Sequence, residues 1–343
     1  MADNKRRLLL RNGLVLGAGA FISAPALRLA QAASTKTLTL YNGQHAKTTQ
    51  ALAEAFTKST GISIDVRKGS SAQLANQIME EGASSPADIF YSEESPPVAA
   101  LAEKGLLATL DSNTLEQVPH GYTGKEGSWT AVSARCRVIV FNRNMVKESD
   151  LPSSVMDMAT ENWKDRVGFV PTSGAFQEQI IAIKILKGRE AALNWLKGLK
   201  QYGRIYNGNK AAMRAVESGE IASALINNYY WYSLADEIGA DKMKSALHYS
   251  ENKDPGALIT VSAAGILKSS RNLKLAQQFV AFLVSEAGQQ VLVKTVAEYP
   301  MHRGVQSPYH LKPFSELDPP DVSPADLGDA ADALALRREA GLA

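Results

Sequence analysis

Strand-like and helix-like segments alternate along most of this chain, and this alternation restricts its fold more than any other feature. Leu38 and Leu40 mark a first strand, the helix after it ends at Gly61, and 62–66 is a second strand. Apolar residues three or four positions apart indicate a helix that buries one face, and short β-branched runs indicate strands. The alternation begins again at 167–170. Strands separated by helices favour a parallel-rich sheet, so we predict an α/β fold.

A chain of 343 residues is long enough for two lobes, each with its own core. The apolar run 132–141 is expected to carry the chain out of the first lobe, and 258–264 is expected to return it. We therefore predict two lobes joined by crossover strands that act as a hinge, with a ligand cleft between the lobes. The predicted N-terminal lobe comprises 33–137 and 260–308, and the predicted C-terminal lobe comprises 138–259 and 309–343.

The first 32 residues are typical of an export signal. A basic segment over 5–11 precedes a modestly apolar stretch over 14–26, and 30–32 offers a small-residue cleavage site after Ala32. The Arg6-Arg7 pair suits the twin-arginine export route. A membrane anchor is the alternative, but the stretch is short and is diluted by glycine and alanine. We therefore expect the signal peptide to be cleaved, which places the mature protein in the periplasm.

Charge and cysteine content exclude several functions. The whole chain carries a net charge of +2, and removal of the basic signal leaves a mature chain of about −2. No polybasic cluster remains, so nucleic acid is not an expected partner. No later apolar run is long enough to cross a bilayer. Cys136 is the only cysteine, so no internal disulfide can form, and we expect this residue to be buried.

Side chains that can bind a metal follow three of the predicted strands: His45, Glu93 and the pair Tyr229-Tyr230. In open α/β sheets, ligands collect beyond the carboxyl ends of the strands. One imidazole, one carboxylate and two phenolates together carry three negative charges and offer mostly oxygen donors. This set suits a hard trivalent cation such as Fe³⁺ better than zinc or copper. A phenol ionises at neutral pH only where a strong cation favours the phenolate.

Each of these residues also has an ordinary structural interpretation. A single histidine such as His45 is more often a polar loop residue, and Glu93 beside Glu94 is more often an acidic pair at a helix N-terminus. The aromatic run from Tyr229 to Tyr232 could be an apolar plug between lobes. The remaining histidines show no metal-binding spacing, and we expect them on the surface: His120, His248, His302 and His310.

A second candidate site is the loop 172–175, directly ahead of a predicted helix. Free backbone N–H groups at a helix start, with a hydroxyl and a glycine nearby, form a ready site for an anion. Asn209 and Asn227 would add amide donors if they lie near the same point. A plain helix N-cap is the alternative role for Ser173.

Five motifs occur in a distinctive order along the chain. They are Tyr41–His45, Ser85–Glu93, Val170–Phe176, Ala224–Trp231 and Asp254–Ala257. Together they resemble the bacterial periplasmic ferric ion-binding proteins, also called bacterial transferrins, which are the substrate-binding components of iron(III) ABC importers. The resemblance extends over 37–309, and it implies the two-lobed, type II-like periplasmic binding protein fold.

The resemblance also implies a site. By this similarity, Fe³⁺ is held by His45 and Glu93 from the N-terminal lobe and by Tyr229 and Tyr230 from the C-terminal lobe. Ala46 follows the histidine, as in the branch of the family that uses these four ligand types. A synergistic anion, phosphate or carbonate, completes the site. Its implied contacts are Ser173, Gly174, Ala175, Asn209 and Asn227.

Glu94 departs from the family pattern, which has a glutamine at this position that helps to hold the anion. A carboxylate cannot donate a hydrogen bond unless it is protonated. Like charges at short distance raise each other's pKa or push one group away. We therefore expect Glu94 either to turn to solvent or to stay and weaken phosphate binding relative to carbonate or citrate.

The sequence thus predicts a monomeric binding protein that catalyses no reaction. It would capture Fe³⁺ and deliver the ion to an ABC-type permease and ATPase in the inner membrane. Two alternatives remain. A binding protein for another small solute would share the fold, and a secreted non-haem iron enzyme would share the histidine and the carboxylate. Two phenolates and an anion would fill the positions that oxygen chemistry needs, which disfavours the enzyme.

Overall fold

The computed structural model describes residues 36–343, so the predicted signal peptide lies outside the described residues. Within this range, no helix is both long enough and apolar enough to cross a membrane. The strands are β1 (Thr37–Asn42), β2 (Ser63–Lys68), β3 (Ile89–Ser92), β4 (Leu107–Ala108), β5 (Thr130–Asn142), β6 (Val167–Phe169), β7 (Arg204–Ile205), β8 (Ser223–Asn227), β9 (Ser245–His248), β10 (Ile259–Leu267) and β11 (Tyr299–Pro300).

The helices alternate with these strands as the sequence pattern predicts. They are α1 (Ala46–Thr60), α2 (Ser71–Glu81), α3 (Ser95–Glu103), α4 (Ser112–Leu115), α5 (Gly174–Lys187), α6 (Arg189–Tyr202), α7 (Asn209–Ser218), α8 (Tyr229–Ile238), α9 (Leu273–Val284), α10 (Glu286–Leu292) and α11 (Ala331–Glu339).

Local chemistry explains where several helices begin and end. Gly61 ends α1 in the left-handed conformation (φ 73°), which glycine adopts without steric cost. Ser70 and Gln73 form a reciprocal capping box at the start of α2. Prolines occupy the first turn of α3, where their missing N–H groups cost nothing.

Two long strands connect the two halves of the sheet. The strand order is β2-β1-β3-β10-β5-β8-β6-β7. β1 is parallel to β2 and β3, and β8 is parallel to β6, whereas β5 and β10 run antiparallel to each other and to their neighbours. The first part of β5 pairs with β10 and β11, and its last part pairs with β8 and β9. β5 therefore belongs to both halves of the sheet, as expected of a crossover strand.

The apolar residues form separate cores on either side of this crossover. The first core contains β1, β3 and β10, helices α1 and α9, and β5 up to Cys136. Farther along β5, Ile139 and Phe141 join a second core with α5, α6 and α11, and Val138 joins a third core with α7 and β8. Between Cys136 and Ile139, the side chains of β5 therefore stop packing in the first core and begin to pack in the second and third cores.

The segment after β11 contacts more than one core. Leu317 packs in the first core, whereas Val322 and the residues of α11 pack in the second. The lobe boundaries 33–137 with 260–308, and 138–259 with 309–343, stay a prediction. Cys136 is buried, as predicted.

Candidate metal centre

The loops after β1, β3 and β8 bring three of the four predicted metal ligands together. Tyr229 Oη donates a 3.3 Å hydrogen bond to Glu93 Oε1. His45 Nε2 lies 3.8 Å from the same carboxylate oxygen. The rings of His45 and Tyr229 meet edge to face, with their centroids 5.4 Å apart. Imidazole, carboxylate and phenol therefore face one point, although β8 belongs to a different core from β1 and β3.

Tyr230 links this cluster to the predicted anion site. Its ring lies 4.2 Å from that of Tyr229, centroid to centroid. Asn209 Nδ2 donates 3.1 Å hydrogen bonds both to Tyr230 Oη and to Ser173 Oγ. The structure therefore places the fourth predicted ligand next to the start of α5.

One donor atom of the cluster has no partner within the described residues. His45 begins α1 but its side chain does not cap the helix. Its Nε2 atom is buried and has no hydrogen-bond partner within the described residues. A buried nitrogen without a partner is costly unless something else binds it. Within residues 36–343, no group of three or more His, Cys, Asp or Glu residues is placed to hold a metal.

Both phenols are held in their protonated form while no metal is bound. Burial, followed by the neighbouring Tyr230 and Glu93, raises the pKa of Tyr229 well above 10. Burial and Glu93 also raise the pKa of Tyr230. A cation that binds here as a phenolate complex must displace these protons. Such a complex would require a cation of high charge, because only a strong positive charge stabilises two buried phenolates.

Two buried arginines on β5 lie beneath the cluster, and the sequence analysis gave them no role. Arg135 donates a hydrogen bond to the main-chain oxygen of Glu93. Arg137 donates to Asn227 Oδ1 (3.0 Å), to the Leu225 carbonyl (2.9 Å) and to Gln179. Both are almost fully buried. Residues two positions apart in a strand point to the same face of the sheet. A pair of arginines with this spacing in an apolar strand is unusual, and this pattern could have marked Arg135 and Arg137 as buried charges in the sequence.

Acidic groups compensate the charge of Arg135. Burial opposes that charge, but the acidic neighbours, Glu298 first and then Glu93, outweigh burial and raise the pKa of Arg135. Burial lowers the pKa of Arg137 to about 10, which still leaves it charged at neutral pH.

Glu298 is a second carboxylate at the centre that sequence reasoning missed. It is fully buried, and its Oε2 atom accepts a hydrogen bond from Ser133. Its Oε1 atom has no hydrogen-bond partner within the described residues and lies 3.8 Å from His45 Nε2. The nitrogen of His45 thus faces two carboxylates. Glu298 directly precedes the short strand β11, and no motif in the sequence marks it.

Glu178 joins the two sides of the cleft. It lies on α5 and accepts hydrogen bonds from the hydroxyl (3.1 Å) and the backbone N–H (3.3 Å) of Ser95 at the start of α3. Burial raises the pKa of Glu178 to about 7. Ser95 also donates to the carbonyl of Pro324. The C-terminal segment therefore contacts the start of α3 at the edge of the cleft.

The predicted anion contacts are only partly brought together. Ser173 precedes α5 without capping it through its side chain, and its hydroxyl instead accepts from Asn209. Asn227 is buried and its side-chain oxygen accepts from Arg137. The amide of Asn209 is thus close to the helix start, whereas Asn227 is engaged with β5. The anion-binding roles of Ser173, Gly174, Ala175, Asn209 and Asn227 stay predictions.

Glu94 does not turn to solvent, which was one of its two expected positions. Glu94 as a whole is half-buried. Its carboxyl group lies against Gly174, the first residue of α5, because a Cβ atom added to this glycine would overlap the carboxyl group. Burial and the neighbouring Glu93 raise the pKa of Glu94 to about 8, and Arg135 acts in the opposite direction. The two expected positions of Glu94 did not take this buried arginine into account.

The remaining histidines lie away from the cluster. His248 Nδ1 lies 3.4 Å from Glu148 Oε1. His120 and His310 are exposed, and His302 is half-buried. They stay without a metal-binding role.

The chain matches known proteins over most of its length. A family model described as bacterial extracellular solute-binding protein matches residues 84–321. The major ferric iron-binding protein of Neisseria meningitidis (serogroup A) is 46% identical over 310 residues, which cover 89% of this chain and 93% of that protein. The Fe(3+)-binding periplasmic protein of Serratia marcescens is 36% identical over 315 residues, covering 91% and 93%.

A solved structure agrees with these relatives. The crystal structure of iron-bound HitA from Pseudomonas aeruginosa has a TM-score of 0.86 and 55% sequence identity to this chain. The match covers 90% of this chain and 100% of that one.

Two lobes joined by crossover strands, with polar side chains from both facing one cleft, define the class of two-lobed solute-binding proteins. The chain belongs to the bacterial extracellular solute-binding protein family, among the periplasmic ferric ion-binding proteins. The predictions of this family and of its two-lobed α/β fold are confirmed. The prediction of a binding protein rather than an enzyme is also confirmed, because the relatives are named as binding proteins.

Replacement of Arg135 by methionine tests the charge balance beneath the cluster. Removing the buried guanidinium leaves the acidic groups around it, Glu298 first, without a compensating charge. We therefore expect Arg135→Met to lower the free energy of unfolding by about 3–5 kcal/mol. Adding Glu298→Gln should recover about 1 kcal/mol or more of that loss, measured by denaturant titration in a double-mutant cycle.

The matched control is Arg214→Met, which breaks an exposed ion pair with Glu237. This variant should change the free energy of unfolding by less than about 1 kcal/mol. Strictly additive effects of Arg135→Met and Glu298→Gln would show that the two residues do not compensate each other.

Proposed function

We propose that this protein captures Fe³⁺ in the periplasm and delivers it to an ABC-type permease and ATPase in the inner membrane. The observation that carries the proposal is the convergence of His45, Glu93 and Tyr229 from different cores on one point. Relatives named as ferric iron-binding proteins support the choice of ion.

His45, Glu93, Tyr229 and Tyr230 are the proposed ligands. Glu93 and two phenolates would neutralise the three charges of Fe³⁺, and His45 would add a neutral nitrogen donor. The unpartnered Nε2 atom of His45 supports this assignment.

Iron would act as a bridge between the lobes. His45 and Glu93 follow strands of the first core, whereas Tyr229 and Tyr230 begin α8 beside the third core. An ion that requires ligands from both sides binds the closed form better than an open form. This difference in affinity is what drives closure.

An anion at the start of α5 would complete the site. Phosphate or carbonate is the anion implied by the resemblance, with Ser173, Gly174 and Ala175 as backbone and hydroxyl contacts and Asn209 beside them. The positive end of the helix dipole and unpaired N–H groups favour an anion at such a position.

Location and partners follow from the same family. The export signal predicted over 1–32 and the relative from Serratia marcescens, named a periplasmic protein, support a periplasmic site of action. A solute-binding protein of this family requires a membrane permease to import its ligand, and that permease with its ATPase is the proposed partner. We propose that the protein acts as a monomer.

The colour of the iron-loaded protein tests the phenolates. We expect Fe³⁺ to produce a visible phenolate-to-iron charge-transfer band, and Tyr229→Phe and Tyr230→Phe each to shift or abolish it. Tyr206→Phe is the control, because its hydroxyl donates a hydrogen bond to the exposed Glu220. An unchanged band after replacement of both Tyr229 and Tyr230 would exclude them as ligands, and no Fe³⁺ binding at all would favour another small solute.

The pH dependence of iron release tests the same site independently. Because the pKa values of Tyr229 and Tyr230 are raised, binding of iron must expel a proton from each phenol. Each expelled proton lowers the affinity about tenfold for each unit by which the pH falls. We therefore expect iron loss to a competing chelator to accelerate as the pH drops from neutral to mildly acidic. A rate that stays constant over this range would argue against phenolate ligands.

A further inference from the structure

Ser95 is a buried contact point between three parts of the chain. It is the first residue of α3, a helix that packs in the first core through Val98 and Leu101. Its hydroxyl and its backbone N–H both donate to Glu178 Oε1, at 3.1 Å and 3.3 Å. The hydroxyl also lies 3.2 Å from the carbonyl oxygen of Pro324. Ser95 and Glu178 are fully buried, so water does not compete for these hydrogen bonds.

Glu178 supplies the cap that the start of α3 otherwise lacks. Glu94, the residue before the helix, does not cap it through its side chain. Pro96 and Pro97 follow Ser95 and have no N–H group, so Ser95 carries the first N–H group of the helix that needs a partner. The acceptor of this group lies on α5, which packs in the second core. A helix on one side of the cleft is thus capped from the other side.

Opening of the cleft would break this contact. The structure is in a closed form, because Tyr229 donates to Glu93 across the cleft. The helices α3 and α5 belong to different cores, so movement of these cores away from each other would separate Ser95 from Glu178. A contact that exists only in the closed form favours that form. Ser95 also lies two positions after Glu93, so the contact holds the loop that carries this proposed ligand.

We propose that Glu178 is a positioning residue that holds the cleft closed by capping α3 through Ser95. The hydrogen bonds between these two residues form a latch between the two sides of the cleft. Glu178 touches neither the metal nor an anion, and it acts by keeping Glu93 within reach of Tyr229 and Tyr230. This inference rests on the proposed function, because the latch affects retention only if iron is held between the lobes. A carboxyl oxygen can accept a hydrogen bond whether or not the group is ionised, so the latch requires no particular protonation state.

The test compares the rate of iron loss with the colour of the iron-loaded protein. The proteins are wild type, Ser95→Ala and the control Ser285→Ala. Ser285 caps α10 by accepting from the Gly288 N–H, and α10 packs in the first core. The control therefore removes a serine cap that does not cross the cleft. Each protein is loaded with Fe³⁺ in the same phosphate buffer, and loss of the charge-transfer band to an excess of chelator is followed at constant pH.

Ser95→Ala should lose iron about tenfold faster than wild type, as expected when a buried acceptor loses its donor. Its charge-transfer band should keep the wild-type position and intensity, because the ligands are unchanged. Ser285→Ala should lose iron at the wild-type rate, although denaturant titration should show that it unfolds more easily. The two variants together separate a latch from a general loss of stability.

A second variant tests Glu178 itself. Glu178→Met removes the acceptor, but it also removes an acidic group close to Arg135 and Arg137, so its own rate of iron loss is not the measure. The measure is the effect of adding Ser95→Ala to it. If the two residues act together, this addition should raise the rate by less than about threefold instead of tenfold. The comparison of Ser95→Ala with Ser285→Ala decides the question if Glu178→Met does not fold.

Three results would overturn the inference while leaving the proposed function intact. Ser95→Ala could lose iron no faster than wild type or Ser285→Ala. Its charge-transfer band could shift, which would place the effect at the ligands instead of the latch. Ser95→Ala could also raise the rate tenfold in the presence of Glu178→Met. A charge-transfer band that is absent from wild type and from every variant would overturn the proposed function, and this inference with it.

Discussion

The buried charge of Arg135 and Arg137 is the constraint on which the cleft depends. Both lie on β5, the strand shared by the two halves of the sheet. A guanidinium inside a protein must be hydrogen-bonded and compensated by negative charge. Arg135 holds the main chain at Glu93, and Arg137 holds Asn227, the last residue of β8. The crossover strand thus fixes the backbone that carries the proposed ligands from both sides of the cleft.

The cleft without metal concentrates acidic groups that repel one another. Glu93 and Glu94 are adjacent, Glu178 and Glu298 are fully buried, and the raised pKa values of Glu94 and Glu178, about 8 and about 7, reflect burial in this acidic environment. This repulsion lowers the stability of the folded protein without metal and favours the binding of a cation. A trivalent ion held by the proposed ligands would relieve the repulsion and replace the proton on Tyr229, which would link binding, pH and closure.

Much of this centre was predictable from local sequence, because it follows the ends of strands. His45, Glu93 and Tyr229 follow β1, β3 and β8, and the carboxyl ends of such strands face the same cleft. Glu298 was not predictable in this way. It reaches the centre through β11, a strand of two residues whose pairing with β5 depends on the folded sheet. No periodic pattern marks so short a strand.

The position of Glu94 shows a different limit of sequence reasoning. The sequence shows the charge of Glu94 and its repulsion by the neighbouring Glu93. It does not show that Arg135 lies nearby or that Gly174 leaves space for the carboxyl group. The charge balance in a cleft depends on residues that are far apart in the chain. The sequence shows directly only which residues are adjacent along the chain. The strand–helix alternation is local and was therefore predicted correctly, whereas the compensation of buried charges is a tertiary property.

The most direct test of the central claim is anomalous diffraction at the iron absorption edge from crystals of the Fe³⁺-loaded protein. The account predicts a single iron peak within bonding distance of a His45 nitrogen, a Glu93 carboxylate oxygen and the phenolate oxygens of Tyr229 and Tyr230. An iron peak held by groups from one side of the cleft alone, or bound without either tyrosine, would contradict it.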